Sequence, residues 1–324
     1  MLKAGAMRLG NPSYVVGVDI GGTNIRLGLL DKKGILHHFG SFRSYDFKDN
    51  PQVDKALAEL VYQWILHKGI PWEHLVAVVL GLPATLDRQD GFVYSCPNFR
   101  NLEGKRIRTT FQNWLPIPIY VEKDTNLAVL GEHHQGAARG YQDVLGVFIG
   151  TGLGCGIILG GSLHLGAHGV AAELGHIPVP NREEVCGCGN KGCIEIYASG
   201  GTLERALQAR HDPESDIQKV FLYAAKGDPF WRQTIDHFLE MVAIAISAAV
   251  NLLDPQVVVI GGGVLQMEEF PFAELVKRVL THVRKPEPAR SLAIVKSVLG
   301  EYAGLVGAAI LGFTLRSEER RQSD

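Results

Sequence analysis

Three cysteines crowd into the eight residues CGCGNKGC, as Cys186, Cys188 and Cys193, with glycines between them that allow a tight loop. Thiolates at this spacing hold a metal ion, and three thiolates with one imidazole close a tetrahedral zinc site. His176, ten residues upstream of Cys186, is the natural fourth ligand. A lone histidine is more often an ordinary core or surface residue; three cysteines lacking a fourth ligand reverse that expectation. With every position filled by protein, the zinc is structural and fixes a loop. That loop also carries Glu173, three residues before His176, and Glu195, two after Cys193, so the metal ties together carboxylates twenty-two residues apart. Paired carboxylates on a rigid loop suit vicinal hydroxyls, which donate hydrogen bonds to them. Without the metal, either glutamate reads as a solvated surface residue. Cys96 and Cys155 stand alone and read as packing residues.

Two further stretches resemble one another: VVGVDIGGTNIRLGLLD at 15–31 and LGVFIGTGLGCGIILGG at 145–161. Each is an apolar run, a glycine-threonine turn and a second apolar run, the pattern of a β-hairpin. Glycines at such a turn let backbone N–H groups approach an anion closely. One glycine-rich hairpin occurs in many proteins that bind no phosphate. Two, each opening its own half of the chain, point to a duplicated fold that clamps a nucleotide in the cleft between its copies. Asp19, just before the first turn, is placed to hold magnesium, directly or through water. A third turn, Gly261-Gly262-Gly263, reads either as a bare backbone against which adenine slides or as a strand-to-helix corner. Asp124 ends IYVEKD and precedes TNLAVL. It reads equally as a helix N-cap or as a general base, with Lys123 beside it holding the carboxylate ionised. A phosphate cradle, a magnesium site and a base are the parts required for phosphoryl transfer to a hydroxyl.

The surrounding pattern supplies elements to hold these groups. Helical spacing covers 54–67, a continuous apolar strand 75–82, and an alternating strand leads through Ile117, Ile119 and Val121 into a helix at 126–135. A long helix is expected over 236–253, a strand through DPQVVVI, and a last helix over 301–315. Strands alternating with helices imply an α/β fold with mixed sheets in two domains. The expected division is an N-terminal domain over 1–123, with the last helix packing back on it, and a larger C-terminal domain over 124–300 carrying the zinc loop. The charged tail at 316–324 is expected to fray.

Composition narrows the classes. A net charge of −2, with no basic face, gives no reason to expect nucleic acid as a partner. The most apolar helical stretch, 241–253, falls short of the roughly 20 residues that span a bilayer, so a core helix is expected and no membrane partner. Five cysteines in 324 residues are no disulfide framework, and the N-terminus shows no secretory apolar run; a cytoplasmic protein is expected.

By these residues the chain resembles the ROK family of sugar kinases and repressors. DIGGTN, GTGLGCG, ELGH, CGCGNKGC-IE and the GGG turn occur in family order and span nearly the whole sequence. The resemblance implies the duplicated actin/hexokinase-like (ribonuclease H-like) ATPase fold with a central cleft, Mg-ATP as cofactor beside structural zinc, a hexose as substrate and a homodimer. It implies that Asp19, Gly21, Gly22 and Thr23 form the first phosphate segment and Gly150, Thr151 and Gly152 the second, with Gly261 and Gly262 beside the adenosine. It makes Asp124 the catalytic base. Asn98, Lys123, Asp124, Glu173, His176 and Glu195 become sugar contacts, and His176, Cys186, Cys188 and Cys193 the zinc ligands. Two departures lie where the sugar sits: the family's E-N-D-x-N reads EKDTN, and its G-x-P-G reads GLPA with Ala84 last. The C-terminal half, with HGVAAELGHIPV and DPQVVVIGGGVLQMEEFP, looks most like the bacterial D-allose kinases of the family. The implied activity is phosphorylation of the 6-hydroxyl of D-allose. A glucokinase or a kinase for mannose, fructose or an N-acetylhexosamine is the alternative within the class. A sugar-responsive repressor is the alternative outside it, disfavoured because eighteen residues before Asp19 leave no room for a DNA-binding domain. Intact Asp19, Asp124 and both turns speak against a non-catalytic sugar binder.

Overall fold

The computed structural model describes residues 13–211 and 215–323. The first twelve residues of the expected N-terminal domain and Asp324 of the expected tail lie outside them. The first lobe opens with the hairpin β1 (Tyr14–Ile20) and β2 (Asn24–Asp31), extended by β3 (Leu36–Arg43). After α1 (Tyr45–Lys48) and α2 (Val53–His67), strand β4 (Leu75–Leu82) returns parallel to β1. A small ribbon, β5 (Thr85–Leu86) with β6 (Val93–Ser95), and α3 (Ile107–Gln112) lead to β7 (Ile119–Lys123), parallel to β4. The near-continuous apolar run of β4 is what a parallel strand covered on both faces requires.

Helix α4 (Asp124–Gln135) leads to the second lobe. There β8 (Val144–Ile149), β9 (Leu153–Leu159) and β10 (Ser162–Leu163) repeat the antiparallel opening. The cysteine loop follows, then α5 (Gly200–Arg210), α6 (Val220–Ala225) and α7 (Pro229–Leu253). Strand β11 (Val257–Gly261), α8 (Phe272–His282), β12 (Ala293–Lys296) and α9 (Ala303–Ser323) complete the chain. The strand orders are β3-β2-β1-β4-β7 and β10-β9-β8-β11-β12. With β1 matched to β8 and β4 to β11, these are one topology used twice, as the paired glycine turns imply.

Two boundaries differ from expectation by seven or more residues. Helix α7 begins at Pro229, seven residues before the expected start: Asp228 caps it, accepting from Trp231 N–H at 3.2 Å, and proline occupies its first turn. At 25 residues α7 is long and apolar enough to cross a bilayer, yet Val242, Ile246 and Val250 lie in the second lobe's core. The segment expected to fray instead continues α9 to Ser323, with Arg316 and Glu319 paired at 2.6 Å one turn apart.

Helices α4 and α9 lie between the sheets. Leu305, Ala308 and Ala309 of α9 pack with Val15, Ala77 and Val79 of the first sheet, and Val129 of α4 packs with Val144, Ile158 and Val257 of the second. The helices cross at backbone contact: a Cβ on Gly307 would lie 1.8 Å from the Leu127 carbonyl oxygen, and one on Gly131 2.2 Å from that of Ala303. Because the obstruction is backbone, Gly307→Ala is expected to destabilise by about 3 kcal/mol or more, the upper range for forced overpacking. A wild-type denaturant midpoint in this variant would contradict the crossing.

Candidate active site

Both glycine turns open into one cleft. In the first, Gly21 N–H donates to the Asn24 carbonyl at 2.9 Å, while buried Ser44 donates its hydroxyl to the Gly21 carbonyl at 2.7 Å and its N–H to the Thr23 carbonyl at 3.0 Å. In the second, Gly150 N–H reaches the Gly152 carbonyl at 3.0 Å. The N-terminus of α5 rests on this turn, Gly200 N–H donating to Gly150 at 2.7 Å and Gly201 N–H to Thr151 at 3.1 Å. The turns meet: a Cβ on Gly22 would lie 3.3 Å from Thr151 Oγ1 and 3.4 Å from Asn98 Cγ. The third turn completes the row, since a Cβ on Gly262, at φ +96°, would lie 2.3 Å from the Ile149 carbonyl oxygen. Gly21, Gly22 and Thr23 therefore share a cleft with Gly150, Thr151 and Gly152, and with Gly261 and Gly262 behind the second turn.

Asp19 and Asp124 stand on the cleft floor. Asp19 pairs in register with Gly81 of β4, and a Cβ on Gly81 would lie 3.6 Å from Asp124 Cα. Loss of solvent, reinforced by the Asp124 charge, pushes Asp19 up to about 7, against the pull of Arg26, whose Nη1 lies 3.5 Å away. Asp124 is also raised above the ordinary carboxylate range, with loss of solvent the first cause. The Lys123 cation pulls it down, as expected, but does not win. Asp124 is not the N-cap: that position is Lys123, and Asp124 opens the helix, its Oδ1 accepting from Thr125 N–H at 2.7 Å.

Instead of reaching into solvent, Lys123 Nζ donates to Glu173 Oε1 at 2.7 Å and to the Ala172 carbonyl at 3.4 Å. The other Glu173 oxygen lies 3.5 Å from His176 Nε2, and His176 Nδ1 lies 3.8 Å from Cys186 Sγ. A continuous polar chain thus runs from beside Asp124 to the cysteine loop. There Cys188 and Cys193 Sγ atoms are 3.7 Å apart, and all four donor atoms lie within 4.8 Å of one another. Tetrahedral zinc with bonds of about 2.3 Å to sulfur requires sulfurs about 3.8 Å apart, so the four donors fit the ion. Burial and the neighbouring thiols push Cys193 up to about 12 and raise Cys186; a divalent cation inverts that balance by binding thiolate. Glu195 bridges the cysteine loop and the second turn, its Oε1 facing Cys186 Sγ at 4.0 Å and its Oε2 accepting from Leu153 N–H at 2.8 Å. Gly187, between two cysteines, faces Pro97 beside Asn98: a Cβ on it would lie 3.3 Å from the Pro97 Cβ.

The ROK family model matches residues 15–314. The chain belongs to the ROK family. A glucokinase of Thermotoga maritima is 29% identical over 309 residues, covering 91% of this chain and 96% of its own. An N-acetyl-D-glucosamine kinase of Yersinia pseudotuberculosis is 29% identical over 306 residues, covering 91% and 97%. Among solved structures, a ROK glucokinase from Streptomyces griseus, in complex with glucose and AMPPNP, superposes with a TM-score of 0.81 at 31% identity, covering 93% of this chain and 100% of its own. The duplicated two-lobed architecture is the actin/hexokinase-like fold.

Several residues of this ROK site escape a reading of motifs. Arg26 lies opposite Asp19 in the β1–β2 register and also reaches Glu301 at 3.1 Å; counting back across the first turn finds that pair. Glu132 of α4 is fully buried, accepting from Ser297 Oγ at 2.5 Å and from Leu299 N–H at 2.9 Å, and so ties the helix that Asp124 opens to the β12–α9 corner. Glu122, 3% exposed, accepts two bonds from Arg88 at 2.6 and 2.7 Å and one from Asn126 Nδ2 at 2.9 Å. No local signal marks Arg88.

Proposed function

We propose that this protein, an ATP-dependent hexose kinase, moves the γ-phosphoryl group of ATP onto the 6-hydroxyl of D-allose in preference to glucose. What carries the kinase reading is the meeting of two bare glycine turns over a floor holding Asp19 and Asp124. Bare turns cradle phosphates through backbone N–H groups. A raised carboxylate pKa moves a base towards neutrality, where general-base transfer is most effective. In this reading Asp124 accepts the hydroxyl proton as the sugar oxygen bonds to phosphorus and the bond to ADP breaks. Asp19 holds magnesium, which when bound offsets phosphate charge. Asn98, Lys123, Glu173, His176 and Glu195 orient the sugar, while His176, Cys186, Cys188 and Cys193 hold zinc. Gly261 and Gly262 lie beside the adenosine.

The choice of sugar rests on the Lys123–Glu173 ion pair. An ammonium has three donors and no acceptor. Lys123 spends one donor on Glu173 and directs another at Ala172, leaving one for a sugar hydroxyl oxygen. An asparagine there would both donate and accept. A pocket matched to one hydroxyl stereochemistry leaves groups unpaired with the epimer, at roughly 1–3 kcal/mol each. That amounts to roughly ten- to hundredfold in kcat/KM, enough to separate C3 epimers. The names of the relatives favour the competing reading, glucose or N-acetylglucosamine.

A hexose panel in a coupled ADP-release assay separates the two. D-allose is expected to show the higher kcat/KM, and Lys123→Asn to shift the allose-to-glucose ratio towards glucose. Wild-type preference for glucose by about tenfold or more would overturn the allose assignment. The same variant carries a pH test. Lys123 lowers the Asp124 pKa, so removing the cation raises it, and the acid limb of kcat/KM moves to higher pH. An unmoved limb would separate Lys123 from the base.

A further inference from the structure

Arg88 touches none of the groups assigned above to sugar, phosphate or zinc, yet it joins the two lobes beside them. It sits in the turn of the β5–β6 ribbon, ordered by Asp87, whose Oδ1 accepts from Gln89 N–H at 2.7 Å. Its Nε and Nη2 grip both oxygens of Glu122, and its Nη1 donates at 2.6 Å to the carbonyl of Gly169 in the opposite lobe. Glu122 also accepts from Lys123 N–H at 2.7 Å and from Asn126, so one buried carboxylate fixes the end of β7 and the first turn of α4 on either side of Asp124. The planar guanidinium fork is suited to this: it fills both carboxylate oxygens and keeps a donor for a third partner.

The third partner lies on a compact loop. Ala171 N–H donates to the Leu165 carbonyl at 3.0 Å and Gly169 N–H to that of Gly166 at 3.3 Å, four residues before Glu173. Gly169 has φ +71°, and a Cβ on it would lie 2.3 Å from Arg88 Nη1, so glycine there admits both the backbone conformation and the guanidinium. Neutralising Glu122 does not require a bond across the cleft. Lys123, next to Glu122, reaches the same loop at Ala172 and Glu173. Two cations of the first lobe therefore hold one short stretch of the second.

We propose that Arg88 is a positioning residue that locks residues 165–173 against the end of β7, presenting Glu173 to the sugar beside Asp124. The proposal rests on the reading of Glu173 as a sugar contact. It is tested on the full-length enzyme, with the best hexose of the panel, by three variants. Arg88→Lys keeps the charge against Glu122 but loses the fork. Gly169→Ala crowds the guanidinium from the other lobe. Glu173→Gln tests the contact itself. Arg88→Lys and Gly169→Ala are each expected to raise sugar KM about tenfold while kcat and ATP KM stay within about twofold. Their combination should exceed the larger single effect little, because both act on one contact. Amides of 165–173 should exchange faster in Arg88→Lys than in the wild type. If Glu173→Gln raises sugar KM while the other two keep wild-type values and only melt earlier, Arg88 is structural alone and the proposal falls. Wild-type sugar KM in all three overturns the sugar-site reading and the proposal with it. Should Arg88→Lys fail to fold, Gly169→Ala decides by the same criterion.

Discussion

Asp124→Asn is expected to lower kcat by about 10² to 10⁴, the range that general-base transfer contributes, while ATP and sugar binding stay nearly intact. The substitution keeps shape and the acceptor towards Thr125 N–H. It removes only the capacity to carry a proton away, about 3 to 5 kcal/mol of barrier at that rate factor. It also separates the two local readings of this residue. Asparagine serves at helix N-termini about as well as aspartate, so a purely structural Asp124 predicts little change in melting and little change in rate. A base predicts unchanged melting with the rate lost. Removing a charge that raises Asp19 should also let Asp19 ionise more readily, which favours rather than hinders magnesium binding. Retention of more than about a tenth of wild-type kcat at saturating substrates would put the base elsewhere.

What the sequence made legible is what it keeps contiguous. The glycine turns announce themselves because the strands on either side are neighbours in the chain, and the repeated pattern foretells the repeated strand order. The cysteine loop is legible for the same reason: three of its four donors lie within eight residues. Glu122 was hidden by a correct rule applied to the wrong surroundings. In an alternating strand Val121 points inward and Glu122 outward, but the first sheet is covered on both faces, so Tyr120 and Glu122 are buried too. Arg88 lies 34 residues from Glu122 and 81 from Gly169, and only the folded lobes bring the three together. The effect of Lys123 on Asp124 was legible in sign and not in outcome, because desolvation depends on the cleft and not on the neighbouring residue. Charge made the C-terminal segment look frayed, though alternating Arg and Glu also suits an exposed helical face, which is what α9 presents.

Purified protein should carry about one zinc per chain, the stoichiometry of one closed four-ligand site. Cys188→Ser is expected to lose most of that metal and to raise sugar KM about tenfold or more while leaving ATP KM near wild type. The separation between substrates follows from where the loop leads. His176 lies at once against Cys186 and Glu173, and Glu173 against Lys123, so a loosened histidine loosens the chain ending beside Asp124. Glu195 follows two residues after Cys193 and bonds Leu153 N–H, just past the second glycine turn. That turn keeps independent supports, Gly200 and Gly201 N–H donating to Gly150 and Thr151, so the nucleotide side should tolerate the loss better than the sugar side. Cys188 is the exposed member of the set, which limits the packing lost on substitution and leaves the metal as the main variable. Removing zinc with a chelator while magnesium is held in excess should reproduce the KM effect in wild-type protein, and adding zinc back should reverse it there but not in Cys188→Ser. A metal-free preparation with full activity and unchanged melting would take zinc out of the sugar site's architecture.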